Sequence, residues 1–225
     1  MRYFGFLLVF VFVTSVMAQE QKVPDKALCS VCALKGGESE LEKVRAHSIH
    51  DGKAYYFCSD GCKKEFDLDP VAYLAPVFPR PAPAFVVETL KGENVSLNDY
   101  KDKLILVDFW ATWCKPCVEM MPNLEKVYNA YSDKGLVVLG VSIDEEKDRI
   151  KKVEKFVDKV AVSYPIFVDA KQVPAWHMFK VKAIPALFLI DGKGQVVAQW
   201  TGKVDHKSIE AEILSRLDKK EEGEH

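Results

Sequence analysis

The sequence carries almost no net charge, because 31 lysines and arginines nearly balance 33 aspartates and glutamates. At a formal net charge of −2 it lacks the basic excess that favours binding to nucleic acid or to an anionic membrane surface. It shows no internal repeat and no scattered cysteines. The six cysteines form three close pairs, Cys29/Cys32, Cys58/Cys62 and Cys114/Cys117. Scattered structural disulfides are not expected to group in this way.

The N-terminal segment predicts export. Arg2 precedes an apolar run over residues 3–13, and Ala18 is followed by polar residues. This is the pattern of a secretory signal peptide over residues 1–18, cleaved after Ala18. A retained membrane anchor is the alternative, but the run is short of the about 20 residues that a spanning helix needs. We therefore expect a periplasmic or otherwise exported protein in an oxidising compartment.

A proline-rich stretch predicts the domain boundary. Four prolines lie within residues 76–83. Because proline disfavours both helix and strand-ladder hydrogen bonding, we expect a stiff extended linker there. It would separate a cysteine-rich domain over residues 19–75 from a larger domain over residues 84–219. The charged residues 220–225 are expected to form a disordered tail.

The larger domain alternates strand and helix signals. Residues 104–109 form a continuous apolar run typical of a buried strand, and residues 118–132 read as a helix. Such alternation predicts an α/β sheet with helices on both faces. Between the strand and the helix lies the motif Trp113-Cys114-Lys115-Pro116-Cys117.

A Cys-x-x-Cys motif at a helix start indicates thiol–disulfide exchange. Free backbone N–H groups and the helix dipole would stabilise a Cys114 thiolate, and Lys115 adds a positive charge. Pro116 suits the first helical turn. Cys114 is thus the expected nucleophile, and Cys117, one turn later, resolves the mixed disulfide. The alternative, half of a zinc site, needs a second Cys-x-x-Cys or a His pair, which this part of the sequence lacks.

Residues 107–117, with Ile184-Pro185 before a later strand, resemble the thioredoxin active site. The entry at residues 81–85, Pro122 and the hairpin at residues 188–194 are more specifically similar to TlpA/ResA-type exported thioredoxins, which border on the AhpC/TSA-like group. The resemblance implies a thioredoxin fold, a central mixed sheet with helices on both faces. A peroxidatic Pro-x-x-x-Thr-x-x-Cys pattern is absent from the sequence, so peroxidase activity is not supported.

The resemblance also implies roles for individual residues. Pro185 would be a cis-proline facing the dithiol, and Asp108 a buried acid that takes the proton of Cys117. An ordinary trans proline and a hydrogen-bonded strand-end residue are the respective alternatives. The resemblance also implies that four residues around the dithiol contact the substrate: Trp113, Ile184, Lys115 and Pro116.

One position departs from the family pattern. Exported members often carry glutamate three residues after the second cysteine, where this sequence has Met120, with glutamate at Glu119.

The resemblance implies reduction of client disulfides as the activity, without a cofactor in the redox domain. It also implies a membrane thiol electron donor and clients such as an apocytochrome c or a copper-centre protein.

The four earlier cysteines predict a metal site. Cys29/Cys32 and Cys58/Cys62 supply four soft thiolates, which suit one tetrahedral zinc or copper ion. Residues 52–66 and 69–74 resemble the YHS/TRASH metal-binding domain. A small cysteine-rich α+β domain of about 50 residues has too small an apolar core to be stable without a cross-link. A bound metal ion could provide this cross-link, and so could two structural disulfides. The competing function is therefore a metal-binding chaperone or sensor that uses the thioredoxin domain as a scaffold.

Overall fold

The computed structural model describes residues 23–35, 40–202 and 204–222. The predicted signal peptide at residues 1–18 lies outside this range. Among the described helices, none has the length and apolar character needed to cross a membrane.

The cysteine-rich domain is a small α+β unit. Its elements are β1 (Lys26–Ala27), α1 (Ser30–Leu34), β2 (Glu42–Lys43), β3 (Ala46–His50), β4 (Lys53–Phe57), α2 (Asp60–Leu68) and a 3₁₀ turn (Pro70–Tyr73). β3 and β4 form an antiparallel hairpin. The helices pack on a small core built from Cys29, Val31, Phe57, Phe66 and Tyr73. The predicted fold class of this domain is confirmed.

The larger domain contains an eight-stranded mixed sheet. Its strands are β5 (Arg80–Pro81), β6 (Val86–Thr89), β7 (Asn94–Ser96), β8 (Leu104–Trp110), β9 (Leu136–Ser142), β10 (Ile166–Asp169), β11 (Ala186–Ile190) and β12 (Gln195–Thr201). They lie in the order β5-β12-β11-β8-β9-β10-β6-β7. Its α-helices are α3 (Lys115–Tyr131), α4 (Arg149–Val160), α5 (Ala175–Met178) and α6 (His206–Glu222).

β8 lies inside the sheet and is buried along its whole length. It runs parallel to β9 and antiparallel to β11, which makes the sheet mixed. Side chains alternate along a strand, so Ile105 and Val107 face the core that includes α5, while Leu104 and Leu106 face α3 and α6. Helices therefore cover both faces of the sheet, and the predicted thioredoxin fold is confirmed.

The linker differs from its prediction. The expectation that its prolines block ladder pairing is wrong at β5, since Arg80 pairs with Val196 and Pro81 with Gln195. A proline is tolerated there because β5 is an edge strand, which needs hydrogen bonds on one side only. The second half of the proline-rich stretch thus joins the sheet of the larger domain.

Three helix boundaries differ from those that the sequence predicts. The apolar periodicity of residues 145–159 predicts an amphipathic helix over that range, but α4 begins at Arg149. The residues before it are held in a loop, because the Asp144 carboxylate accepts hydrogen bonds from Thr112 and Ser142. Pro174 shortens α5, which begins after it. α6 continues to Glu222, so residues 220–222 of the expected disordered tail are helical, and residues 223–225 lie outside the described range.

Candidate redox site and candidate metal centre

The redox cysteines lie at the junction between β8 and α3. Cys114 is the N-cap of α3 and forms a disulfide with Cys117. The Cys117 backbone N–H also donates to Cys114 Sγ over 3.3 Å. Cys114 is 5% exposed and Cys117 1%, whereas Trp113 beside them is 63% exposed. An attacking group reaches this disulfide at Cys114, next to an exposed aromatic ring.

The second side of the site is the loop before β11. The Ile184–Pro185 peptide bond is cis, as the resemblance implies. Ile184 packs against the apolar cluster that contains Cys114 and Cys117. The Pro185 carbonyl accepts a hydrogen bond from Gly202 N–H over 2.8 Å, which ties this loop to the end of β12. The structure therefore brings Ile184 and the two cysteines together.

Asp108 is buried in β8, with 1% of its surface exposed. Desolvation raises its pKa to about 7. By strand alternation it faces the same side of the sheet as Trp110, which packs in one cluster with Cys117. A carboxyl group with a pKa near neutrality can exchange a proton at physiological pH.

Three buried polar atoms in the described part of the chain have no hydrogen-bond partner: Asp108 Oδ1, Trp110 Nε1 and Tyr164 OH. They lie around Gly140, which pairs with Asp108 between the parallel strands. A Cβ atom at Gly140 would lie 3.0 Å from Tyr164 Cε2 and 3.4 Å from Trp110 Nε1. Burial, and secondarily the Asp108 charge, raises the pKa of Tyr164. The surroundings of Asp108 are thus polar but closed.

A contact that the sequence did not reveal fixes the loop before Cys114. Asp144 Oδ2 accepts from Thr112 N–H at 2.9 Å, and Asp144 Oδ1 accepts from Thr112 Oγ1 at 2.7 Å. Lys152 Nζ lies 3.2 Å from the same carboxylate. Asp144 follows β9, whose last residue, Ser142, pairs with Trp110 of β8. The sequence does carry one signal for this contact. Asp144 is an acidic residue just after a buried strand, and that strand runs parallel to β8, which leads into the Cys-x-x-Cys motif.

Glu119 is exposed near the start of α3, next to the position where exported members of the family often carry glutamate. Its Oε1 lies 3.9 Å from Lys115 Nζ, and both side chains are exposed. Met120, three residues after Cys117, is buried in the core between the sheet and α3. A rotation of about 100° per residue separates these two directions on a helix.

The other four cysteines form one cluster. The Sγ atoms of Cys29, Cys32, Cys58 and Cys62 all lie within 4.8 Å of one another. Cys32 Sγ lies 3.6 Å from Cys58 Sγ and 3.8 Å from Cys62 Sγ, and Cys58 Sγ lies 3.7 Å from Cys62 Sγ. Sulfurs bound tetrahedrally at 2.3 Å from zinc are about 3.8 Å apart, whereas a disulfide is about 2.0 Å long. The cluster fits a tetrahedral metal ion and not two disulfides.

The first turns of α1 and α2 position three of the four clustered cysteines. Cys29 is the N-cap of α1, which contains Cys32, and Cys62 lies in the first turn of α2. Ser59 caps α2, because its Oγ accepts from Cys62 N–H at 3.2 Å. Two short helices and the end of β4 thus converge on one point.

A disulfide at a strand-to-helix junction of a thioredoxin fold, beside a cis-proline loop, defines a thiol–disulfide oxidoreductase. The AhpC/TSA family profile matches residues 79–199, and the chain belongs to this family. The YHS domain profile matches residues 42–77, which include Cys58 and Cys62 but not Cys29 and Cys32.

Individual relatives agree with this assignment. The thiol-disulfide oxidoreductase ResA of Geobacillus kaustophilus is 37% identical over 134 residues, which are 60% of this chain and 75% of ResA. The thioredoxin-like protein YneN of Bacillus subtilis is 37% identical over 132 residues, 59% of this chain and 76% of YneN. The thioredoxin domain of a thiol-disulfide oxidoreductase from Bacteroides vulgatus superimposes with a TM-score of 0.54 at 31% identity, covering 61% of this chain and 98% of that domain.

Proposed function

We propose that this protein is an exported reductant of disulfides in client proteins and that it receives its electrons from a membrane thiol donor. The observation that carries the proposal is the Cys114–Cys117 pair at the start of α3, packed against Ile184 of the cis-proline loop. The ResA relative supports the redox chemistry. The apolar run at residues 3–13 supports export to a compartment that needs an outside supply of electrons.

In the reduced protein, the Cys114 thiolate attacks one sulfur of a client disulfide and releases the first client thiolate. The Cys117 thiolate then attacks Cys114 Sγ, which releases the second client thiolate and forms the Cys114–Cys117 disulfide. Asp108 takes the proton of Cys117 before this second step, since its pKa of about 7 lies close to working pH. The donor returns two electrons and two protons to the disulfide.

The client binds where the disulfide meets solvent. Trp113, Lys115 and Pro116 flank Cys114 in the chain and are exposed, and Ile184 of the cis-proline loop is half-buried and packs against the cluster of Cys114 and Cys117. We propose that the client disulfide enters on an extended segment that contacts both the exposed residues and this loop. We propose that Trp113 packs on the apolar part of this segment and that the loop at Pro185 aligns its backbone.

The cysteine cluster would hold zinc or copper through Cys29, Cys32, Cys58 and Cys62. Such a metal would supply the staple for a domain with a small apolar core. We place this domain at residues 19–75 and the redox domain at residues 84–219. The linker at residues 76–83 would then contribute its strand β5 to the redox domain.

We propose that the redox chemistry of one domain serves metal binding by cysteines. A cysteine binds a metal ion as its thiolate, and an oxidising compartment converts close cysteine pairs into disulfides. We propose that the dithiol keeps the cysteines of metal-binding clients, and of the neighbouring cluster, reduced for metal loading. The competing function, a metal-binding chaperone or sensor, is favoured by the metal-like spacing of the four sulfurs.

Two single cysteine replacements separate these functions. Cys114→Ser should abolish insulin reduction and leave zinc binding intact, because Cys114 lies outside the cluster. Cys58→Ser is the matched control, and it should weaken zinc binding while insulin reduction persists. A chaperone or sensor that uses the redox domain only as a scaffold would transfer metal equally well with Cys114→Ser, and its parent protein would not reduce insulin above background. A reduction potential well above about −200 mV would contradict the reductant direction.

A further inference from the structure

We propose that Asp69 of the cysteine-rich domain is a positioning residue for the redox site. It holds residues 180–185, the segment that carries Ile184 and Pro185, and so links the order of the cysteine cluster to the dithiol. This inference rests on the proposed function of Cys114 and Cys117.

Both oxygens of Asp69 are committed to the other domain. Asp69 Oδ1 accepts from Lys180 Nζ at 3.2 Å, and Asp69 Oδ2 lies 3.4 Å from Lys182 Nζ. Asp69 follows α2 and precedes the 3₁₀ turn, but its side chain caps neither helix. The described partners of this carboxylate are therefore the two lysines of the other domain.

Lys182 has a second contact in the cysteine-rich domain. Its Nζ lies 5.7 Å from the centroid of the Tyr73 ring, within the range of a cation–π interaction. Tyr73 is itself fixed, because its OH donates to Glu65 Oε1 at 2.5 Å and Glu65 pairs with Lys35 at 2.6 Å. A single exposed ion pair would stabilise little, but this lysine is held between a carboxylate and a buried, hydrogen-bonded ring.

At its other end the segment reaches the dithiol. Lys180 adopts a φ of +55°, in the left-handed region that a non-glycine residue adopts only at a cost. Val181 N–H then donates to Trp176 O at 2.9 Å, and Ile184 packs against the cluster of Cys114 and Cys117. A short, bent segment thus runs from the Asp69 contacts to the wall of the redox site.

The same aspartate is connected to the cysteine cluster through one helix. Cys62 lies in the first turn of α2, and Asp69 caps its end through a backbone hydrogen bond from Asp69 N–H to Phe66 O. A metal held by Cys62 and its three partners would fix the start of α2 and, through this short helix, the position of Asp69. Contiguous packed elements of this kind can carry energetic coupling between sites.

Hydrogen exchange of the full-length protein tests the link directly. Asp69→Asn keeps the shape of the side chain and removes its charge, so exchange at Val181 should rise about three- to tenfold. The kcat/KM for insulin reduction should fall by a similar factor. Asp67→Asn is the matched control, because this neighbouring carboxylate pairs with Lys63 and Ser48 inside its own domain. It should leave both readouts unchanged, and Asp69→Glu should restore part of the loss.

Zinc provides a second readout that does not depend on activity. With Cys114–Cys117 kept as a disulfide, zinc added to the cluster should slow exchange at Val181 in the parent protein but not in Asp69→Asn. Equal exchange rates at Val181 in Asp69→Asn and Asp67→Asn would overturn the proposal. Equal slowing of this exchange by zinc in the parent protein and in Asp69→Asn would also overturn it. If the parent protein fails to reduce insulin, the proposed function is wrong, and the exchange experiment still tests the link.

Discussion

Asp108→Asn should stabilise the oxidised protein at pH 9 by up to about 4 kcal/mol and change its stability little near pH 4. The folded pKa of Asp108 is about 7, against 3.8 for the ordinary group. This rise of about three units corresponds to about 4 kcal/mol, at 1.36 kcal/mol per unit. Asparagine has the same shape but cannot ionise, so it removes the cost of a buried charge.

The direction of the pH dependence follows from proton binding. Between pH 4 and pH 7, the unfolded chain has already released the Asp108 proton while the folded protein retains it. The free energy of unfolding of the parent protein therefore decreases as pH rises through this window. Above about pH 8 both states are ionised at this position, and the advantage of Asp108→Asn should be constant.

Urea unfolding followed by tryptophan fluorescence at pH values from 4 to 9 measures this effect. All four tryptophans, Trp110, Trp113, Trp176 and Trp200, lie in the redox domain, so the signal reports on that domain. Asp158→Asn on the exposed side of α4 is the control and should show no difference at any pH. A stability difference for Asp108→Asn that does not grow between pH 4 and pH 7 would contradict a buried Asp108 with a raised pKa.

Three further outcomes are expected. Cys62→Ser should reduce zinc binding, measured with the dithiol oxidised, from one ion per chain to a much weaker association, because three thiolates remain. Gly140→Ala should destabilise the redox domain by about 1–3 kcal/mol in urea, since the new Cβ would lie 2.6 Å from Ile166 Cδ1. Asp144→Asn should cost about 1–3 kcal/mol in the same assay, because it weakens the hydrogen bonds that hold Thr112. An unchanged unfolding midpoint for either of these last two variants would contradict the packing described.

The local parts of the redox site could be predicted from the sequence. An apolar run followed by Cys-x-x-Cys and a helix defines a strand, a helix start and two thiols at once, and the structure has all three. The four-cysteine cluster could be predicted for a similar reason, since the two cysteines of each pair are only three or four residues apart at the start of a helix. The choice between metal and disulfides needed the distances between sulfurs.

The remaining features depend on contacts between distant residues. Asp144 and Thr112 are 32 residues apart, and they meet because β8 and β9 are parallel and in a particular register. Asp69 and Lys180 are 111 residues apart and meet through the packing of two domains. The pairing of Arg80 likewise depends on which strand lies at the edge of the sheet. Periodicity along the chain carries no information on such contacts.

We propose that Cys114 forms a mixed disulfide with its client and that Cys117 resolves it. The most direct test is to incubate reduced Cys117→Ser with insulin and to map the covalent product by mass spectrometry. We expect a stable, dithiothreitol-sensitive complex through Cys114, which the Cys114→Ser/Cys117→Ser double variant should not form. A complex through Cys32, Cys58 or Cys62 instead, or no complex at all, would contradict it.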